Sequence, residues 1–132
     1  MIEKIKSIEN LCSGVGVSDE QITEAEKALG LKFPKEYVAY LKEFGKIRFF
    51  ATEWTGLNAK GYRNVVEATN DEKSVNESFP KGFFVLENLG VDAKMVVVNE
   101  KGEVYILQYD RLKLICNTIE EYLDFCIARK NS

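Results

Sequence analysis

The chain contains no histidine, only two prolines and only three cysteines. Each scarcity excludes something. Without histidine, most zinc sites, the Ser-His-Asp and Cys-His arrangements and the commonest general base are gone. Two prolines in 132 residues, with 45% of residues hydrophobic, argue against a disordered chain. An odd number of widely spaced cysteines, with no Cys-x-x-Cys pair, argues against a disulfide framework and for reduced thiols in a cytoplasm. No apolar run approaches the ~20 residues of a membrane span. The longest are Phe83–Leu86, Met95–Val98 and Val104–Leu107. The start, Met1-Ile2-Glu3-Lys4, reads as helix rather than as a secretory leader. A net charge of −3 disfavours direct nucleic-acid binding and permits a partner with a basic surface. The length fits one domain over residues 1–132.

What is present is mostly helix punctuation and apolar strand. Ile2, Ile5, Ile8 and Cys12 recur at helical spacing and predict a helix over 2–12. Ser18 with Gln21 forms a capping box for a second helix, whose face is Ile22, Ala25, Ala28 and Leu29. Gly30 supplies its left-handed stop. Pro34 begins a third helix, with Tyr37, Val38, Tyr40, Leu41 and Phe44 as its stripe and Gly45 as its end. The two helices make an αα-hairpin.

Strands are predicted at 47–52, 55–58, 83–87, 95–99, 103–109 and 113–116. A hairpin turn lies at Asn99-Glu100-Lys101-Gly102. Residues 65–76 stay open between a solvated helix and a strand end. Thr118 and Glu121 read as a second capping box, and Ile119, Tyr122, Leu123, Cys126 and Ile127 give a C-terminal helix. The three central strand runs lack clean alternation, so they are expected to be buried on both faces.

Candidates for chemistry are few. Cys126 and Cys12 lie on helical stripes and Cys116 ends an apolar strand, so all three read as core. Gly14-Val15-Gly16 lacks what a phosphate loop needs beyond its glycines. Glu87, Asp92 and Asp110 flank the strands with no visible nucleophile or metal cluster beside them, which favours surface or turn roles over acid–base catalysis. Aromatic residues anchor interfaces. Trp54, between Glu53 and Thr55, and Tyr109, between Gln108 and Asp110, are placed at strand ends where they can be exposed. The expected partner-binding residues are therefore Glu53, Trp54, Glu87, Asp92, Gln108, Tyr109 and Asp110, with no catalytic, cofactor or metal site.

Several segments, taken in order, resemble the SUKH superfamily, which includes bacterial immunity proteins and fungal cell-wall assembly regulators. They are Val17–Ile22 with Ala25–Gly30, Leu31–Tyr37 with Leu41–Gly45, Gly56-Leu57, Phe83–Gly90, Gly102-Glu103-Val104-Tyr105, and Thr118–Leu123. Two features depart from the family pattern. Its acidic glycine-rich turn is reduced to Gly90-Val91-Asp92-Ala93, and Gln108-Tyr109-Asp110 stands where a histidine is often found.

The resemblance implies an α+β fold with a mixed, mainly antiparallel sheet, here of about five to six strands, with packed helices, an N-terminal αα-hairpin and a C-terminal helix. It further implies a cytoplasmic immunity protein, a monomer or weak homodimer. Such a protein neutralises a cognate protein toxin, often a nuclease with a basic surface, by occlusion and without enzyme activity. The fungal branch offers the alternative, a regulatory or structural interaction module.

Overall fold

The computed structural model describes residues 1–129. It is α+β, with five helices and two antiparallel sheets. The elements are α1 (Ile2–Lys6), β1 (Cys12–Ser13), α2 (Asp19–Leu29), α3 (Lys35–Phe44), β2 (Ile47–Phe49), β3 (Thr52–Glu53), α4 (Val65–Val75), β4 (Phe83–Asn88), β5 (Lys94–Asn99), β6 (Val104–Gln108), β7 (Arg111–Cys116) and α5 (Ile119–Ala128). Strands β1-β2-β3 form one sheet and β4-β5-β6-β7 the other. The expected single sheet of five to six strands is thus two sheets. The parallel element reduces to an isolated bridge between Gly56 and Asn64.

The αα-hairpin forms as its punctuation dictates. Ser18 accepts from the Gln21 backbone while Gln21 Oε1 accepts from the Ser18 N–H, completing the capping box. Gly30 ends α2 at φ 68° and Pro34 precedes α3. Gly45 and Gly56 serve a second purpose. A Cβ on Gly56 would lie 1.7 Å from the Gly45 carbonyl oxygen, so two backbone segments touch there and no side chain fits.

The N-terminal helix is shorter than its periodicity suggests. It stops at Lys6, and Cys12 and Ser13 instead pair with Arg48 and Ile47 in β1–β2. Cys12 is consequently exposed rather than in the core, whereas Cys116 and Cys126 are buried as expected. Residues 55–58 are not a strand. Thr55 bridges the sheets: its N–H donates to Leu86 O, its hydroxyl to Val85 O, and its carbonyl accepts from Tyr40 Oη. Tyr40 Oη also accepts from the Ile47 N–H, so α3 is tied to both sheets through one buried polar spine.

The inner strands of the four-stranded sheet are covered on both sides, as the missing alternation requires, while β7 is exposed over most of its length. Phe84, Leu86, Val96, Val98 and Val104 join the main core with α3 and α5. Val85, Val97 and Leu107 face the other way, under Ala68 of α4 and Phe79. Residues 65–75 are therefore helix, capped by the Asn64 side chain and docked by the Val85 N–H donating to Thr69 Oγ1. At the C-terminal helix, Thr118 accepts from the Glu121 N–H, one half of the expected box. The neighbouring N–H groups of Ile119 and Glu120 donate to Glu36 of α3, a carboxylate 83 residues away in sequence at the positive end of α5.

Candidate functional site

The seven sequence candidates separate into two environments. Trp54 and Glu87 are inside. Trp54 is 0% exposed, between Tyr40 at 5.5 Å and a stacked Tyr122 at 6.2 Å. Glu87 is 2% exposed. The expectation that these two reach a partner is corrected by that burial.

The reason for Glu87 is a β-bulge. Val85 pairs with Val97, but Glu87 pairs with Val96, so one residue is skipped and the parity of β4 reverses. The carboxylate then points toward α5 instead of α4. There it accepts from Tyr122 Oη at 2.5 Å and pairs with both Arg129 guanidinium nitrogens, at 3.2 and 3.3 Å. Arg129 also lies over the Tyr122 ring and donates to Cys126 Sγ.

Burial, and next the charge of Glu87, push the Cys126 thiol up to about 11. Burial likewise raises Tyr122 far above its ordinary range. Burial is the largest influence on Arg129 and opposes its charge, but the hydrogen bonds to Glu87 and the electrostatic pull of Cys126, Tyr122 and Glu87 together outweigh it and raise it. Groups held this firmly in their protonated forms make a structural junction. A pocket of about 570 Å³ lies beside it, lined by Val96, Ile106, Leu114, Tyr122 and Phe125 among others, and none of the seven candidates lines it.

Four candidates come together elsewhere, at one end of the four-stranded sheet. Asp92 lies in the β4–β5 turn, Gln108 ends β6, and Tyr109 and Asp110 form the β6–β7 turn. Gln108 Nε2 donates to the Asp92 carbonyl at 2.9 Å and fixes the two turns against each other. Asn76 Nδ2 donates to the Tyr109 carbonyl and brings in the C-terminal end of α4.

Three residues here, Asp92, Ala93 and Tyr109, have φ of 51°, 56° and 57°. For Tyr109 this is a conformation that favours glycine, and backbone strain of this kind concentrates at functional positions. Tyr109 is 67% exposed, and Val91 (60%) and Val75 (79%) are its apolar neighbours in the two adjoining segments. A shallow pocket of about 230 Å³ between α4 and β4–β5 adds Tyr62 (66% exposed), Asp71, Glu72, Asn88 and Met95. The patch is aromatic and aliphatic at its surface, with Asp71, Glu72, Asp92 and Asp110 around it and the cations Lys94 and Arg111 at its β5–β7 side.

Glu53 adjoins this region through Tyr62, whose hydroxyl donates to Glu53 Oε2 at 3.2 Å. Glu53 also pairs with Arg63 at 3.1 Å. Val75 lies outside the seven candidates. Its signal is an apolar side chain on the solvated side of a polar helix, which carries meaning only once residues 65–75 are known to be helical.

The fold and this open end define a small α+β protein-interaction domain. More particularly, the chain belongs to the SUKH family: the SUKH_5 family model, described as SMI1-KNR4 cell-wall, matches residues 1–127. No curated protein matches the chain. Family membership supports a protein-interaction role, and the family is not known as enzymatic. Among the described residues, no helix is long and apolar enough to cross a membrane.

Proposed function

We propose that the chain is a cytoplasmic immunity-type protein that binds and neutralises a cognate toxin, of nuclease type with a basic surface, by occlusion. The observation that carries this reading is the sheet end itself. Exposed Tyr109, Tyr62, Val75 and Val91 lie around turns in which Asp92, Ala93 and Tyr109 are left-handed, with Asp71, Glu72, Asp92 and Asp110 about them and Lys94 and Arg111 at one side. Aromatic anchors supply affinity and surrounding carboxylates steer a cationic partner, because a toxin that attacks nucleic acid carries basic groups to hold phosphate. Steering raises the association rate, and an occluding inhibitor depends on that rate. The partner surface in this reading is Asp92, Gln108, Tyr109 and Asp110, extended across α4 and toward Glu53. It acts as a monomer or weak homodimer.

Co-expression with the products of adjacent genes tests the proposal. A toxic product that co-purifies with the chain, and whose toxicity the chain suppresses, supports it. Failure both to bind and to restore growth rules it out. The family description, which refers to the cell wall, favours a second reading, a regulatory interaction module. That reading gains if the chain binds a non-toxic partner through the same face.

A further inference from the structure

On the three-stranded sheet, beyond the Tyr62–Glu53 edge of the face just described, five residues line a pocket of about 230 Å³: Cys12, Ser13, Lys46, Arg48 and Arg63. Strand parity builds it. Ile47 and Phe49 point into the core, so Arg48 points out, directly across from Cys12 on β1, and its guanidinium donates to Cys12 Sγ at 4.0 Å. Gly14 follows β1 with so little room that a Cβ would sit 2.9 Å from Lys46 Cγ, which leaves the lysine stem lying against the chain.

Arg63 is held from below by three backbone and side-chain acceptors. It donates to Ile47 O at 2.9 Å, to Trp54 O at 3.4 Å and to Glu53 Oε2 at 3.1 Å. Glu53 is the carboxylate that answers this cluster, and it is engaged by Arg63 and Tyr62. Neither Lys46 nor Arg48 has a carboxylate partner within 4.0 Å among the described residues.

Three cations against one carboxylate leave two positive charges on one small concavity, in a chain whose total is −3. Like charges brought together without counter-charges repel. A solvated surface would spread them, yet this fold gathers Arg48 and Lys46 beside an Arg63 guanidinium already held by its own acceptors. Guanidinium forks match tetrahedral oxyanions, and a phosphomonoester carries about −1.5 to −2 at neutral pH, the complement of this site. We propose that the Cys12–Lys46–Arg48–Arg63 pocket is a binding site for a phosphate-class oxyanion, either free phosphate or a phosphomonoester. Arg48 and Lys46 supply the charge, and Arg63 forms the rigid floor. The site is independent of the toxin-binding reading and stands or falls without it.

Titration of the isotopically labelled full chain with inorganic phosphate, against chloride at equal ionic strength, tests it by NMR. The expected result is saturable shifts at the Cys12, Ser13 and Arg48 amides with phosphate alone. In Arg48→Glu and Lys46→Gln, both partly or fully exposed positions, affinity falls at least tenfold while the rest of the spectrum is retained. Cys12 is the exposed thiol of the three, so phosphate also slows its alkylation by iodoacetamide severalfold. A parallel titration with O-phosphoserine separates the sources: tighter binding than inorganic phosphate assigns the site to a carried ester, weaker binding to the free ion. Shifts equal to those of chloride, or undiminished in Arg48→Glu, overturn the proposal.

Discussion

The Glu87 junction and the Tyr109 end carry similar residues, a carboxylate beside an aromatic at the end of a strand, and they do opposite things. At the junction every charge is answered. Glu87 meets Arg129 and Tyr122, Trp54 stacks on Tyr122, and protons are held tightly. At the sheet end the aromatics and aliphatics face water, the carboxylates around them form no ion pair among the described residues although Lys94 and Arg111 lie at one side, and Tyr109 holds a positive φ. Residue type is therefore a poor guide to role at a strand end; what decides is whether a helix lies over it. α5 covers the first region, and α4 only borders the second.

Four substitutions or conditions sharpen this contrast, in descending effect on stability. Trp54→Ala removes a fully buried indole and is expected to cost about 3–5 kcal/mol in urea unfolding; a cost under 1 kcal/mol would place Trp54 in a surface role after all. Glu87→Ala leaves the Tyr122 hydroxyl buried without its acceptor, while half-exposed Arg129 can turn to water. The loss is expected to be about 1–3 kcal/mol.

Alkaline pH acts on the same junction. Burial first, then the charge of Glu87, raises Cys126 in the folded state from an ordinary 9.0 to about 11. The unfolded chain then releases its proton earlier, so this contribution is complete below pH 9 and is lost as pH climbs toward 11. Its size is at most about 3 kcal/mol, and Cys126→Ala should flatten that part of the pH–stability curve. At the sheet end, Tyr109→Gly should leave stability unchanged or raise it by up to about 1 kcal/mol by relieving a positive φ, yet weaken partner binding at least tenfold.

The helical half of the molecule is legible in the sequence. Ser18, Gln21, Gly30, Pro34 and Gly45 act locally, within a turn of the residues they cap, so their meaning survives in one dimension. The sheet half is legible in its strands but not in their grouping, because Thr55 joins two sheets through hydrogen bonds to residues 30 positions away. Of the candidate site, Asp92, Gln108, Tyr109 and Asp110 can be found because turns announce themselves. Glu87 defeats sequence reasoning because a bulge reverses strand parity without a sequence mark, and Trp54 does so because tryptophan is common both in cores and at interfaces. The Lys46–Arg48–Arg63 pocket is invisible in one dimension because its cations come from separate elements. Its Cys12 continues the periodicity of a helix that ends six residues earlier.

The central claim is that the chain meets its partner at the sheet end and not at the junction. Capture of adjacent-gene products on immobilised wild-type chain and on the Asp71→Lys/Asp110→Lys double variant tests it most directly. Both substitutions are at exposed positions, so the variant should keep its melting transition within about 0.5 kcal/mol of wild type. Wild type is expected to retain a partner and the variant to release it, with association at low salt slowed about tenfold or more. Equal retention by a fully folded variant would contradict the claim.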